Sequence, residues 1–173
     1  MKESKYLKEN IHNIQRMMDI PSLKSFETKS IGNLLRLSKV REYEDGECII
    51  KEGDVDPWIY FLLRGKIKVI KDGVQISVID KRGEIFGEMR LISNLSRSAS
   101  VYAVDKTVCL AVDITAKDRL ERKEDIDKFL LLLYRVFAEF ISLRLRLTND
   151  ELVRTKKEIL KLVRSDNFME DLS

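Results

Sequence analysis

The sequence predicts an α+β protein: a small antiparallel β-sandwich or barrel, flanked by N-terminal helices and followed by one long C-terminal helix. Six of the seven glycines fall between Gly46 and Gly87, and the first five of these are spaced 7 to 12 residues apart. Between them lie short β-prone runs, at 47–51, 58–64, 66–71 and 74–80, with two more at 98–104 and 107–113. Short strands with regular turn signals read as a sandwich or barrel. From Glu124 to Ser165 there is neither Gly nor Pro, which leaves a helix uninterrupted.

Each element has its own reason. The first 20 residues are weakly amphipathic through Leu7, Ile11, Ile14, Met17 and Met18. Residues 22–40 have helical character, with Ser30 as N-cap for the run to Leu37. Alternation in the next strands turns Ile67, Val69, Val74, Ile76 and Val78 inward. The runs at 58–63 and 108–112 are nearly continuous in apolar residues, so they read as central strands covered on both faces.

The long helix carries two apolar stripes. One runs Ile126, Phe129, Leu133, Val136, Phe140, Leu143, Leu147 and then stops. The other repeats in sevens through Leu131, Tyr134, Ala138, Ile141, Leu145, Thr148, Leu152, Thr155, Ile159 and Leu162. Read as a and d positions, it is a coiled-coil seam, with Glu151 and Lys156 placed to attract across a parallel pair. About 40 residues at 1.5 Å each span roughly 60 Å, more than a small barrel needs for cover. A homodimer through this helix is the expected use; a single helix folding back on its own chain is the alternative. The division expected is 1–22, a helical extension; 23–122, the β-barrel; 123–165, the dimerisation helix; and 166–173, a frayed tail.

Composition excludes several classes. Net charge is +3, from 32 basic and 29 acidic residues, which gives no argument for nucleic-acid binding. No run approaches 18 apolar residues, so no membrane partner is expected, and the charged N-terminus is not a secretory signal. A cytoplasmic protein follows. The one histidine, His12, argues against a His-based metal site or a Ser-His-Asp triad. Cys48 and Cys109 sit in apolar stretches and read as buried free thiols without metal spacing. No catalytic constellation appears, and Pro57 and Trp58 read as structural.

One segment carries chemistry: Gly83-Glu-Ile-Phe-Gly-Glu-Met-Arg-Leu-Ile-Ser-Asn-Leu-Ser-Arg-Ser-Ala99. A glycine before a short helical turn exposes backbone N–H groups, and these favour an anion. Arg97 returns at the end of the loop with a rigid fork of donors suited to two phosphate oxygens. Ser98 adds a hydroxyl. Glu88 would repel a phosphate unless it meets a sugar hydroxyl or orients the arginine. The combination asks for a singly charged phosphate beside a ribose hydroxyl.

This segment resembles the phosphate-binding cassette of the cyclic-nucleotide-binding domain family, which includes bacterial catabolite activator proteins. The cassette pattern, Phe-Gly-Glu then Arg-Ser/Thr/Ala-Ala, reads here as Phe86-Gly87-Glu88 and Arg97-Ser98-Ala99. Tyr43-Glu-Asp-Gly-Glu-Cys-Ile-Ile-Lys-Glu-Gly-Asp54 is similar to the family's opening, and Tyr60-Phe-Leu-Leu-Arg-Gly-Lys-Ile-Lys-Val69 to its strand pair. The three motifs stand in order within residues 23–165. Arg90 departs from the pattern, which has a small or apolar residue there.

The resemblance implies a jelly-roll barrel that binds cyclic AMP or cyclic GMP, with no other cofactor. Its ligand set would be Phe86, Gly87, Glu88, Met89, Arg97, Ser98 and Ala99. Arg97 would hold the cyclic phosphate and Glu88 the ribose 2′-hydroxyl. Thr148 and Asn149 on the long helix resemble the base-contacting pair of the activators. Nine residues follow Arg164, fewer than the roughly 20 of a helix-turn-helix, so direct DNA binding is not expected. Output would pass through a separate effector protein. A ligand-free interaction module is the competing reading.

Overall fold

A computed structural model describes the chain apart from residues 6, 9–10, 21–22, 25–26, 92–95, 117–119, 121 and 171–173, and gives backbone alone at 90–91 and 162–170. The elements are β1 (Lys2–Glu3), α1 (Ile11–Met18), α2 (Thr28–Arg36), β2 (Ser38–Tyr43), β3 (Cys48–Ile50), β4 (Trp58–Lys71), β5 (Val74–Ile79), β6 (Ile85–Phe86), a 3-10 turn (Glu88–Leu91), β7 (Ser100–Asp113) and α3 (Lys123–Glu170). They divide into two compact units, Met1–Phe137 and Ala138–Ser173.

All strands pair antiparallel, in the order β1-β2-β7-β4-β5, with β3 also on β7 and β6 also on β4. This is the α+β barrel that the sequence predicts. The runs expected as separate strands at 58–64 and 66–71 are one ribbon, and so are those at 98–104 and 107–113. The ribbons β4 and β7 pair along their length, from Trp58↔Asp113 to Ile70↔Ser100, with register shifts between Leu62 and Lys66. A bulge bends a strand and lets it serve two walls. The bend needs Gly65: its φ is 94°, and a Cβ there would stand 2.7 Å from the Lys106 carbonyl oxygen and from Thr107.

The inner face holds Tyr43, Ile50, Tyr60, Leu62, Ile67, Ile79, Phe86, Val101, Ala103, Cys109 and Ala111 as one core cluster. Strand alternation sends Ile59, Phe61, Leu110 and Val112 to the opposite face, where they are buried as well. The apolar runs at 58–63 and 108–112 are therefore covered on both faces, as their composition requires. Buried Leu34, Leu35, Phe129, Leu133 and Val136 come from α2 and the start of α3. Those two helices are tied by Lys29 to Asp125 at 2.8 Å and by the Asn33 amide to the Asp125 carbonyl at 3.4 Å.

Four local expectations are corrected. Val74, Ile76 and Val78 face outward, at 63, 57 and 47% exposure. The buried pair Ile67↔Ile79 sets the register, so residues of opposite parity point away from the core, and a bulge between Val69 and Ile70 carries the hairpin end beyond it. Ser30 lies inside α2; the helix starts at Thr28 after Glu27, which makes no side-chain cap. The predicted helix to residue 40 stops at Arg36, because Ser38–Tyr43 pairs with β7. Cys48 is exposed, whereas Cys109 is buried, and burial pushes its thiol up to about 12.

Helix α3 extends the expected one by a turn at its C-terminal end. Of its first stripe, Phe129, Leu133 and Val136 are buried, together with Leu132 and Phe137. The seven-residue seam is exposed in the single chain: Leu131 69%, Tyr134 48%, Leu145 59%, Leu152 50%, Ile159 53%. Leu162 lies outside the described side chains.

Candidate functional site

The cassette hangs between β6 and β7. Ile85–Phe86 pairs with Phe61 and Tyr60 of β4, and the Phe86 ring stacks on Tyr60 at 5.1 Å and 9°. Gly87 then turns the chain with φ 76°, into the 3-10 turn that starts at Glu88. Glu88 is buried and Met89 is exposed.

The return of the loop is stitched to the turn before β4. The Gly53 amide donates to the Arg97 carbonyl at 2.9 Å, and the Arg97 amide to the Asp54 carbonyl at 2.9 Å. The Glu52 amide donates to Ser100 Oγ at 2.9 Å. Two of the three sequence motifs, far apart along the chain, therefore share one piece of backbone.

Arg97 is only 6% exposed, and its guanidinium faces the cassette glycine. Nη1 donates to the Gly87 carbonyl at 2.6 Å, and a Cβ on Gly87 would stand 3.0 Å from that nitrogen. The opposite edge of the fork meets Asp56: Nε donates to Oδ2 at 2.9 Å and Nη2 to Oδ1 at 2.5 Å. Nη2 also donates to the Trp58 carbonyl at 2.5 Å. One edge thus holds a charged carboxylate, and the other holds neutral carbonyls. Burial raises the Asp56 carboxyl, but the Arg97 bonds, the Trp58 amide at 3.0 Å and the charges of Arg97 and Arg41 outweigh it and hold it below the usual aspartate range.

The fold brings Phe86, Gly87, Glu88, Met89, Arg97, Ser98 and Ala99 into one cassette. Ser98 is exposed, and its hydroxyl donates to the Met89 sulfur at 3.5 Å. Thr148 and Asn149 lie exposed on α3, in the second compact unit. Ile92 of the apolar turn, residues 93–95 of the polar loop and the side chain of Arg90 lie outside what is described. Among the described residues no group of His, Cys, Asp or Glu could hold a metal ion.

Sequence reasoning missed Asp56, and it read Trp58 as structural only. Asp56 lies just before β4 with no motif around it. Only the pairing of 53–54 with Arg97 brings it to the fork.

Comparison with known proteins places the chain's similarity in its sequence and fold. Residues 40–122 match the sequence model of the cyclic nucleotide-binding domain. A cAMP-dependent protein kinase type II regulatory subunit of Drosophila melanogaster is 35% identical over 130 residues, 69% of this chain and 34% of the relative. A cGMP-dependent protein kinase of Toxoplasma gondii is 35% identical over 104 residues, 58% of this chain and 10% of the relative. The chain thus spans about a third of one curated relative and about a tenth of the other. A crystal structure of a cyclic nucleotide-binding domain from Methylobacillus flagellatus superposes with a TM-score of 0.71 at 21% identity, over 82% of this chain and 83% of that one, a likeness of fold.

Proposed function

We propose, from the premise that residues 40–122 form a domain of the cyclic nucleotide-binding family, that this chain is a cytoplasmic sensor of cyclic AMP or cyclic GMP. One observation carries the reading: a buried guanidinium, Arg97, aimed at the backbone of Gly87 at 2.6 Å. A guanidinium edge that holds only neutral carbonyls gains by exchanging them for a phosphate, because charge-assisted bonds are roughly twice as strong. Asp56 keeps the other edge and fixes the plane of the fork.

In this reading Arg97 holds the cyclic phosphate and Glu88 the ribose 2′-hydroxyl. Gly87 and Ala99 approach the ligand by backbone, Phe86 and Met89 border it, and Ser98 aids the phosphate. Thr148 and Asn149 meet the base. The exposed seam of α3 joins two copies, and ligand binding shifts its geometry for a separate effector protein. Such coupling requires different ligand affinities in the two helix positions. The work is binding, not catalysis or DNA reading. Calorimetry with both nucleotides, with light scattering for mass, tests it; no heat from either nucleotide refutes the sensor.

The Asp56 pair also favours a second reading, because the fork already holds a carboxylate of the chain itself. In a ligand-free interaction module the barrel and seam serve assembly alone. Thermal shift separates the two: a ligand at 100 times its Kd adds about 2.7 kcal/mol of stability.

A further inference from the structure

The N-terminal strand β1 lies on the outside of β2, in register Lys2↔Glu42 and Glu3↔Arg41. Its backbone attachment is short, and the Met1 ammonium also pairs with Glu47. Beyond that two-residue ladder, the Ser4 amide donates to the Val40 carbonyl at 2.9 Å and the Leu7 amide to the Ser38 carbonyl at 2.9 Å. The Val40 amide donates to Ser4 Oγ at 2.9 Å. Such an element opens at little cost relative to the barrel.

What it delivers is a charge. Glu3 accepts from Lys39 Nζ at 2.7 Å and from Arg41 Nε at 2.6 Å. Arg41 is a buried cation, 9% exposed. Its Nη1 donates to the Tyr60 hydroxyl at 2.8 Å, and its guanidinium lies 3.9 Å from the centre of the Trp58 ring. Trp58 in turn touches both partners of the anion site: its amide donates to Asp56, and its carbonyl accepts from Arg97. Tyr60 stacks on Phe86, next to Gly87. Arg41 is thus one aromatic layer from the Asp56–Arg97 pair, and the Asp56 carboxyl is held down in part by the Arg41 charge.

We propose that Arg41 determines how strongly the Arg97 site attracts anions, and that β1 regulates this through Glu3, which neutralises Arg41 while the strand is docked. With Glu3 in place, its carboxylate is shared by Lys39 and Arg41 and offsets part of the Arg41 charge. When Glu3 leaves, Arg41 presents a full positive charge across packed rings, where water screens it little. That charge attracts an incoming phosphate, and so raises anion affinity. The proposal rests on the cyclic-phosphate reading only for the identity of the anion.

Glu3→Gln neutralises the partner of both Lys39 and Arg41, whereas Lys39→Gln removes one of those two ion pairs, and the two variants change charge in opposite senses. Calorimetry with cyclic AMP and cyclic GMP on the full chain, at low and moderate salt, reads the difference. Glu3→Gln tightens binding about three- to ten-fold at low salt and less at moderate salt, while Lys39→Gln leaves it unchanged or weaker. A shift in the same direction for both variants makes β1 a mere staple and overturns the proposal, as does no change in Glu3→Gln. If the wild type binds neither nucleotide, the sensor reading fails by itself, and carbon-detected titration of the Asp56 carboxyl decides this one. Glu3→Gln must lower that titration further while Lys39→Gln does not; an unmoved Asp56 overturns the proposal.

Discussion

Replacing Arg97 by alanine removes the donor to five acceptors at once: both carboxylate oxygens and the carbonyl of Asp56, and the carbonyls of Gly87 and Trp58. The arginine side chain is 4% exposed and the Asp56 side chain 31%. Breaking a fully buried pair costs about 3–5 kcal/mol, because the survivor is left charged and unpartnered. Water reaches part of Asp56, so the expected loss is nearer 2–3 kcal/mol. Removing Asp56 as well relieves that orphan charge, so the double variant recovers about 1–2 kcal/mol relative to the sum of the singles. Urea unfolding of wild type, Arg97→Ala, Asp56→Ala and the double variant gives the cycle. Additive losses, or an Arg97→Ala protein as stable as wild type, would refute the pairing on which the site rests. The same variant loses about 2–4 kcal/mol of nucleotide binding, roughly 30- to 1,000-fold, from two charge-assisted bonds.

Four further outcomes are expected. Asp56 is held below its ordinary value of 3.8, so its pairing stabilises fully above that pH and fades as pH falls through the lowered value; Asp56→Asn abolishes this acid-side slope in unfolding curves taken below pH 4. Gly65→Ala meets the Lys106 backbone at 2.7 Å on top of a positive φ, and loses about 2–4 kcal/mol by denaturant titration. In the proposed α3 dimer, Leu152→Glu places a carboxylate on the seam and halves the mass seen by light scattering, without changing the melting of the barrel. Cys48 reacts with a disulfide reagent in the folded protein, whereas Cys109 reacts only on unfolding.

Much of the barrel is legible because glycines punctuate it: Gly46, Gly53, Gly65, Gly73, Gly83 and Gly87 all adopt positive φ, a conformation other residues resist. The cassette is legible for the same reason, since Gly87 and Arg97 act across ten residues of one loop. What escapes is set by contacts between distant segments. Asp56 reaches Arg97 only because 53–54 pairs with 97, and Arg41 reaches Trp58 only because β2 and β4 both flank β7. Alternation also misleads at β5. Val74, Ile76 and Val78 have the right period, but the parity belongs to Ile79, whose partner Ile67 is already buried. Period two tells that a strand has two faces and leaves open which one the core takes.

The two long ribbons have a consequence for how this container comes apart. β4 and β7 each contribute 14 residues and pass through both walls, so neither wall owns its strands. Tearing the ladder anywhere between Trp58 and Lys71 unseats the lining near Phe86 and the rim near Val101 together. Loss of order at the hinge around Gly65 must therefore register at the mouth, and the barrel should melt as a single cooperative block, with no half-container left standing.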